Sequence, residues 1–206
     1  MSGPILFIVS SPSGAGKTTL CRGLIDTTER LGFSVSHTTR PPRAGETDGS
    51  DYHFVSPEAF DRMIAGGEFL EWARVHGNHY GTARSEVASA SASGVDLLCD
   101  VDYQGARQIK ERYPDAVGIF ILPPSVEELR RRLEQRGTDS PEQRKIRFQN
   151  ARVELEQFGS FDYLVTNDDL QTALDNLRSI VKAERCRRVR QPALAERLLK
   201  EFVKLR

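Results

Sequence analysis

The chain has 206 residues, enough for one sizeable core or a core with a smaller insertion. Lysine plus arginine equals aspartate plus glutamate, at 29 each, so overall charge gives no ground for a nucleic-acid or anionic-membrane partner and any basic function must be local. Cys21, Cys99 and Cys186 are odd in number and widely spaced. They fit neither a disulfide framework nor a zinc pattern, and they suit a reducing compartment. No apolar stretch approaches transmembrane length, and the N-terminus lacks the flank and cleavage pattern of a signal peptide. The expectation is a soluble, cytoplasmic protein.

The first predicted element is the apolar run Ile5–Val9, which passes directly into Ser10-Ser11-Pro12-Ser13-Gly14-Ala15-Gly16-Lys17-Thr18-Thr19. A buried strand entering such a loop and then a helix is the arrangement of a phosphate-binding loop. Gly14 and Gly16 let backbone N–H groups turn toward an anion, Lys17 reaches terminal phosphates, and the Thr18 hydroxyl suits Mg²⁺. Ser11 stands where the general pattern G-x-x-x-x-G-K-[ST] has glycine. Further buried strands are expected at Val95–Val101, Ala116–Leu122 and Tyr163–Val165. Helical patterns separate most of them, which predicts an α/β fold with a parallel sheet covered by helices on both faces. Ser125-Val126-Glu127-Glu128 and Ser140-Pro141-Glu142-Gln143 fit capping boxes, and Ser56-Pro57 marks another helix start. Leu170, Leu174, Leu177 and Val181 share a helical face, as do Leu194, Leu198, Phe202 and Leu205 in a C-terminal helix after Pro192.

Residues 37–90 interrupt the alternation with turns and aromatics (Pro41-Pro42, Gly45, Asp48-Gly49, Tyr52, Phe54, Trp72, Tyr80) and are expected to form a small strand-rich insertion. The organisation is then core over 1–36, insertion over 37–90, and core again over 91–206. Residues 136–150, polar and punctuated by Gly137 and Pro141, are expected to be an exposed, mobile flap. In Val35-Ser36-His37-Thr38-Thr39-Arg40-Pro41-Pro42-Arg43, two arginines three apart suit bidentate bonding to a phosphate monoester. Glu71, within Phe69-Leu70-Glu71-Trp72-Ala73, is an acid among apolar residues, and a buried carboxylate needs donors. Guanine offers N1–H and N2–H₂ along one edge, whereas adenine would leave the carboxylate unsatisfied. The strand Leu97-Leu98-Cys99-Asp100-Val101-Asp102 ends in acids at the sheet edge, where such a group can hold Mg²⁺ directly or through water. The basic stretch Arg185–Arg190 reads as a solvated helix end.

Together these segments resemble the guanylate kinase family, enzymes that phosphorylate GMP using ATP. The resemblance runs to about Arg188 and is carried by Ser10–Thr19, Val35–Arg43, Gly49–Val55, Phe69–Ala73, Gly77–Thr82, Asp100–Gly105 and Asn167-Asp168-Asp169. It implies that Ser36, Glu71 and Thr82 hold the guanine base with Asp102 close by, and that Arg40, Arg43, Tyr52 and Tyr80 hold the GMP phosphate. Ser11 through Thr19 (Ser11, Pro12, Ser13, Gly14, Ala15, Gly16, Lys17, Thr18, Thr19) would serve ATP, with Asn167 near the adenine and Thr18 and Asp102 toward Mg²⁺. Lys17, Arg132, Arg136 and Arg147 would surround the transferring phosphate. His37, His53, His76 and His79 are expected to pack or bond locally. The implied substrates are ATP and GMP or dGMP, with no nucleic acid or membrane partner and a homo-oligomer left open. The rival expectation from another class is a kinase-like binding module without catalysis, which the intact Lys17-Thr18 pair disfavours.

Overall fold

The computed structural model describes residues 3–75, 77–135 and 141–204. A five-stranded parallel sheet forms the centre, in the order β2-β7-β1-β8-β9, from β1 (Leu6–Ser10), β2 (Leu31–Phe33), β7 (Asp96–Asp100), β8 (Val117–Leu122) and β9 (Tyr163–Thr166). β1 is buried along its whole length, as a central parallel strand covered on both faces must be. Its alternate residues feed two cores. Ile5, Phe7 and Val9 pack with Leu20 and Leu24 of α1 (Lys17–Thr27) and with Leu177 and Val181 of α7 (Leu170–Arg185). Leu6 and Ile8 face the other way, onto Ile109 of α4 (Tyr103–Arg112) and Ala90 of α3 (Arg84–Ser93). The three-residue strand β2 was absent from the sequence reading; it is too short to show a period and carries glycine at its centre.

A second, four-stranded sheet, ordered β4-β3-β6-β5, is built from β3 (His37–Thr38), β4 (His53–Phe54), β5 (Phe69–Val75) and β6 (Asn78–Ala83), with α2 (Pro57–Ala65) between β4 and β5. Only the β5–β6 hairpin is long; β3 and β4 are two residues each. The outer edge of β5 is covered by α4. The Gln108 side chain donates to the Trp72 carbonyl at 2.7 Å and accepts the Trp72 N–H at 3.2 Å, satisfying backbone groups that an open edge would expose.

Helix starts follow their caps. Ser56 accepts the Ala59 N–H, Ser125 the Glu128 N–H of α5 (Val126–Glu134), and Asp169 the Thr172 N–H. α6 (Pro141–Leu155) begins at the predicted proline, so the second half of the expected flap is helical; its first half, including Arg136, lies outside the described residues. On α7, Leu174, Leu177 and Val181 are buried but Leu170 is exposed, because it opens the first turn beyond the sheet. In α8 (Pro192–Lys204) Leu198, Leu199, Phe202 and Val203 are exposed, so this amphipathic helix leaves its apolar face uncovered within the chain. No helix among the described residues is long and apolar enough to cross a membrane.

The basic stretch after α7 is engaged in ion pairs rather than simply solvated. Arg185 bonds Asp96 at 2.8 Å, and that same aspartate accepts the Ile5 N–H. Arg187 and Arg190 lie 3.3 and 3.8 Å from buried Glu184, which also accepts the Tyr163 hydroxyl at 2.7 Å. Glu184 thus ties α7 to β9 and to the turn after it. Glu184→Ala should leave these donors unmatched and lower stability by about 2–4 kcal/mol, read as a fall in the denaturation midpoint with catalytic parameters unchanged at 20 °C.

Candidate active site

Three carboxyl-terminal strand ends converge, the usual place for ligands in an open parallel sheet. β1 leads into the loop Ser11–Gly16, β7 ends at Asp100, and β9 is followed by Asn167. Gly14 and Gly16 both have φ above 90°, where side chains are strained. Gly16 is also required for space, since a Cβ there would lie 2.3 Å from Asn167 Nδ2. Arg30 is the only described non-glycine residue with positive φ, so Ser11 adopts its turn without needing glycine's freedom. No side chain caps α1, and its first turn carries no acid; its leading N–H groups are available to an anion.

Lys17 is held at rest by two partners. Its Nζ lies 2.6 Å from Asp100 Oδ1 and donates to the Val101 carbonyl at 2.7 Å. Burial works against the ammonium charge, but Asp100 outweighs it and holds the Lys17 pKa above its ordinary value. From the opposite side, Glu154 of α6 accepts the Ser13 N–H at 2.7 Å, and burial raises its pKa.

A cavity of about 490 Å³ runs from this loop to the second sheet. It is lined by Ser11, Pro12, Ser13, Gly14, Gly16, Lys17 and Thr18 on one side, and by Ser36, Arg40, Arg43, Tyr52, Glu71 and Tyr80 on the other. Asp100, Asp102 and Arg147 line it as well. Arg40 is oriented by Glu46, whose two oxygens accept from it at 2.8 and 2.9 Å, and its guanidinium lies 5.3 Å from the Tyr52 ring centre. The sequence reading passed over Glu46, an acid six residues on in a turn-rich segment with no periodicity to flag it.

Glu71 is buried. The strand achieves this by an irregularity. β5 and β6 pair Phe69 with Ala83 and then Glu71 with Thr82, so Leu70 is the extra residue of a bulge. Phe69, Leu70 and Glu71 are therefore buried in succession, which simple alternation forbids. Glu71 Oε1 accepts the Thr82 N–H at 2.9 Å, and Thr82 is itself fully buried. Desolvation raises the Glu71 pKa to about 7, against the lowering effect of Thr82, with nearby Asp102 raising it further.

Several expected site residues are held by protein partners. Arg132 sits behind the loop, donating to the Ala15 carbonyl at 3.3 Å and the Asn167 carbonyl at 3.0 Å, with Glu128 on its Nε at 2.7 Å. Asn167 donates to the Ala15 carbonyl at 2.7 Å. Both support the loop from outside the cavity wall, as Ala15 and Thr19 do by position, and Thr82 acts on the cavity through Glu71. Asp102 caps α4, accepting the Gly105 N–H at 2.9 Å, so the acid beside Lys17 is Asp100. An aspartate directly before a helical run carries the N-cap signal, which could have separated the two. Of the histidines, His37 stacks on His53 at 4.6 Å and His79 on Phe60 at 5.2 Å; His76 lies outside the described residues.

Residues 4–184 match the family model described as guanylate kinase. The chain belongs to the guanylate kinase family. It is 55% identical to the guanylate kinase of Syntrophotalea carbinolica, covering 94% of this chain and 92% of that one. With the guanylate kinase of Dechloromonas aromatica the identity is 50%, over 94% and 98%. The crystal structure of guanylate kinase from Anaplasma phagocytophilum superimposes with a TM-score of 0.81 at 35% identity, over 98% of this chain and 97% of that one. TT1252 of Thermus thermophilus, at 16% identity and a TM-score of 0.52, shares the fold alone.

Within this family member, a carboxylate held at about pKa 7 makes stability depend on pH. The folded form binds the Glu71 proton more tightly than the unfolded chain. The resulting penalty is absent below about pH 4, grows to about 3 kcal/mol, and is complete above about pH 8. Glu71→Gln, which keeps an acceptor for Thr82, should be about 2–3 kcal/mol more stable than the parent at pH 8 and equal to it at pH 4. Denaturant midpoints at the two pH values check this; a pH-independent difference would refute a strained, ionisable Glu71.

Proposed function

We propose that this chain transfers the γ-phosphoryl group of ATP to GMP, or to dGMP, releasing ADP and GDP. The observation that carries the reading is the pairing, across one cavity, of the Ser11–Thr18 phosphate loop with a buried carboxylate, Glu71, ringed by Ser36, Arg40, Arg43, Tyr52 and Tyr80. The loop suits a nucleoside triphosphate. Arg40 and Arg43 suit the phosphate of the acceptor nucleotide. Glu71 suits a purine edge that presents two N–H donors, which guanine has and adenine lacks.

The nucleophile is an acceptor phosphate oxygen. It attacks the γ-phosphorus of ATP in line with the bridging oxygen, which leaves with ADP, and the new P–O bond makes GDP. A phosphate monoester has a second pKa near 6 and is largely dianionic at neutral pH, so the step needs no general base. The obstacle is the repulsion of two polyanions. Lys17 exchanges Asp100 for phosphate oxygens, Arg147 approaches from α6, and Arg40 and Arg43 hold the acceptor, so charge developing on the transferring group meets fixed donors. Arg132, bonded to the Ala15 and Asn167 carbonyls beside the loop, is placed to join them, and Arg136, given the same role by resemblance, lies outside the described residues. Closure of residues 136–150 and of the 37–90 insertion would exclude water as a competing acceptor.

The donor set fits Mg²⁺ carried in by the triphosphate. Among the described residues no group of three or more metal-binding side chains forms a protein-only cage, while the exposed Thr18 hydroxyl and the Asp100 carboxylate face the cavity. Bound there, the ion would neutralise phosphate charge, with Thr18 as direct ligand and Asp100 or Asp102 through water. The free thiols Cys21, Cys99 and Cys186 suit a cytoplasmic setting.

A coupled ADP-release assay with Mg-ATP and GMP, AMP or UMP tests the reading. Turnover with GMP should exceed that with the others by several orders of magnitude; equal rates would remove the role given to Glu71, and no ADP with any acceptor would favour the binding-module alternative. Lys17→Met should lower kcat by about 10²–10³-fold with little change in GMP affinity. Donors on the guanine edge favour ionised Glu71, so GMP binding at pH 6.5 should release protons, in a number approaching one per site. Calorimetry in two buffers of different ionisation enthalpy measures it, and proton uptake would contradict the assignment.

A further inference from the structure

We propose that Gly105 is a specificity-determining positioning residue: its missing side chain leaves the slot in which the Glu71 carboxylate lies, and its N–H fixes the neighbouring Asp102. The inference rests on Glu71 being the acceptor for the purine edge.

Gly105 is the third residue of α4, is buried, and has no positive φ. Its backbone is ordinary helix, where glycine costs about 0.5–1 kcal/mol relative to alanine. Conformation therefore gives no reason for glycine, and space does. A Cβ built on Gly105 would lie 2.4 Å from Glu71 Oε2, 3.0 Å from Glu71 Cδ and 3.2 Å from Val101 Cβ. The first distance cannot be tolerated, and the other two are tight. Val101 belongs to the buried core beneath α4 and can give only a few tenths of an ångström. The Glu71 carboxylate is the far end of a flexible side chain and can move.

An added methyl group would consequently displace the carboxylate and spare the helix. Displacement has a defined consequence. Glu71 Oε1 is registered by the Thr82 N–H at 2.9 Å, and a shift of the carboxylate breaks that register. On the other flank the Gly105 N–H donates to Asp102 Oδ1 at 2.9 Å, and Gln104 Nε2 donates to Asp102 Oδ2 at 2.9 Å. Two acids, one from the inserted sheet and one from the core, thus meet across a single residue that itself lies outside the cavity wall. Gly105 acts on the acceptor nucleotide only through them.

Gly105→Ala tests this by steady-state kinetics on the full chain, varying GMP and ATP separately. The GMP KM should rise tenfold or more, with ATP KM within twofold of the parent, kcat at saturating GMP within about threefold, and a melting temperature equal to or above the parent's because alanine favours the helix. Glu71→Gln added to Gly105→Ala should weaken GMP by much less than it does alone, since the carboxylate is already misplaced. An unchanged GMP KM would overturn the proposal. So would an equal rise in both KM values with a lowered melting point, or failure to fold, because each would assign the glycine to helix packing alone. Absence of GMP-dependent ADP release by the parent chain would instead defeat the proposed function.

Discussion

The folded chain must hold a half-buried lysine ammonium beside its phosphate loop. Lys17 meets that requirement by bridging Asp100 and the Val101 carbonyl at the end of β7, so the strand beside β1 supplies the resting partner for the residue that follows the β1 loop. Parallel pairing of β1 with β7 makes this possible, because Val9 lies opposite Asp100 and both strands end at the same level. The pair therefore keeps a cation and a carboxylate together at the cavity wall, each satisfied by the other.

Glu71 presents the complementary problem. An acid buried away from water is destabilising at neutral pH, and the second sheet uses a bulge and a helix edge to keep it there. Such strain is a reason to read function from the site. A carboxylate that only needed a hydrogen bond to Thr82 would gain by facing water; one that must discriminate between purines gains by being dry, where a missing donor on the ligand is most costly.

The core strands, the phosphate loop and the serine helix caps were legible in the sequence because each rests on local rules: continuous apolar runs, glycine at turns, Ser ahead of a helix. The short strands β2, β3 and β4 were not individually legible, since two or three residues carry no period and their pairing is decided by partners far along the chain. At the site, Lys17, Arg40, Arg43 and Glu71 could be named from residue type and context. Residue type alone does not resolve which strand-end acid faces Lys17, although the N-cap position of Asp102 ahead of α4 distinguishes it from Asp100. Arg132 could be named from residue type and position, but its bonds to the carbonyls of Ala15 and Asn167 could not, because they depend on how α5 packs against the loop.

The contacts that join the parts also constrain how they move. Glu154 ties α6 to the Ser13 N–H, and Arg22 of α1 pairs with Asp51 in the inserted unit. The first contact is electrostatically opposed to a bound triphosphate, because it sets a carboxylate against the loop that receives the phosphates. The second is not, because Arg22 lies to the side of the loop and Asp51 is already engaged by the Thr47 N–H. The first contact thus opposes an anion at the loop, while the second ties the inserted sheet to α1 without facing that anion. Arg147 lies about two turns before Glu154 on the same face of α6, and both side chains already line the cavity. The helix thus sets an acid and a guanidinium together against the space a ligand would fill, and the charge of that ligand decides which of the two it attracts.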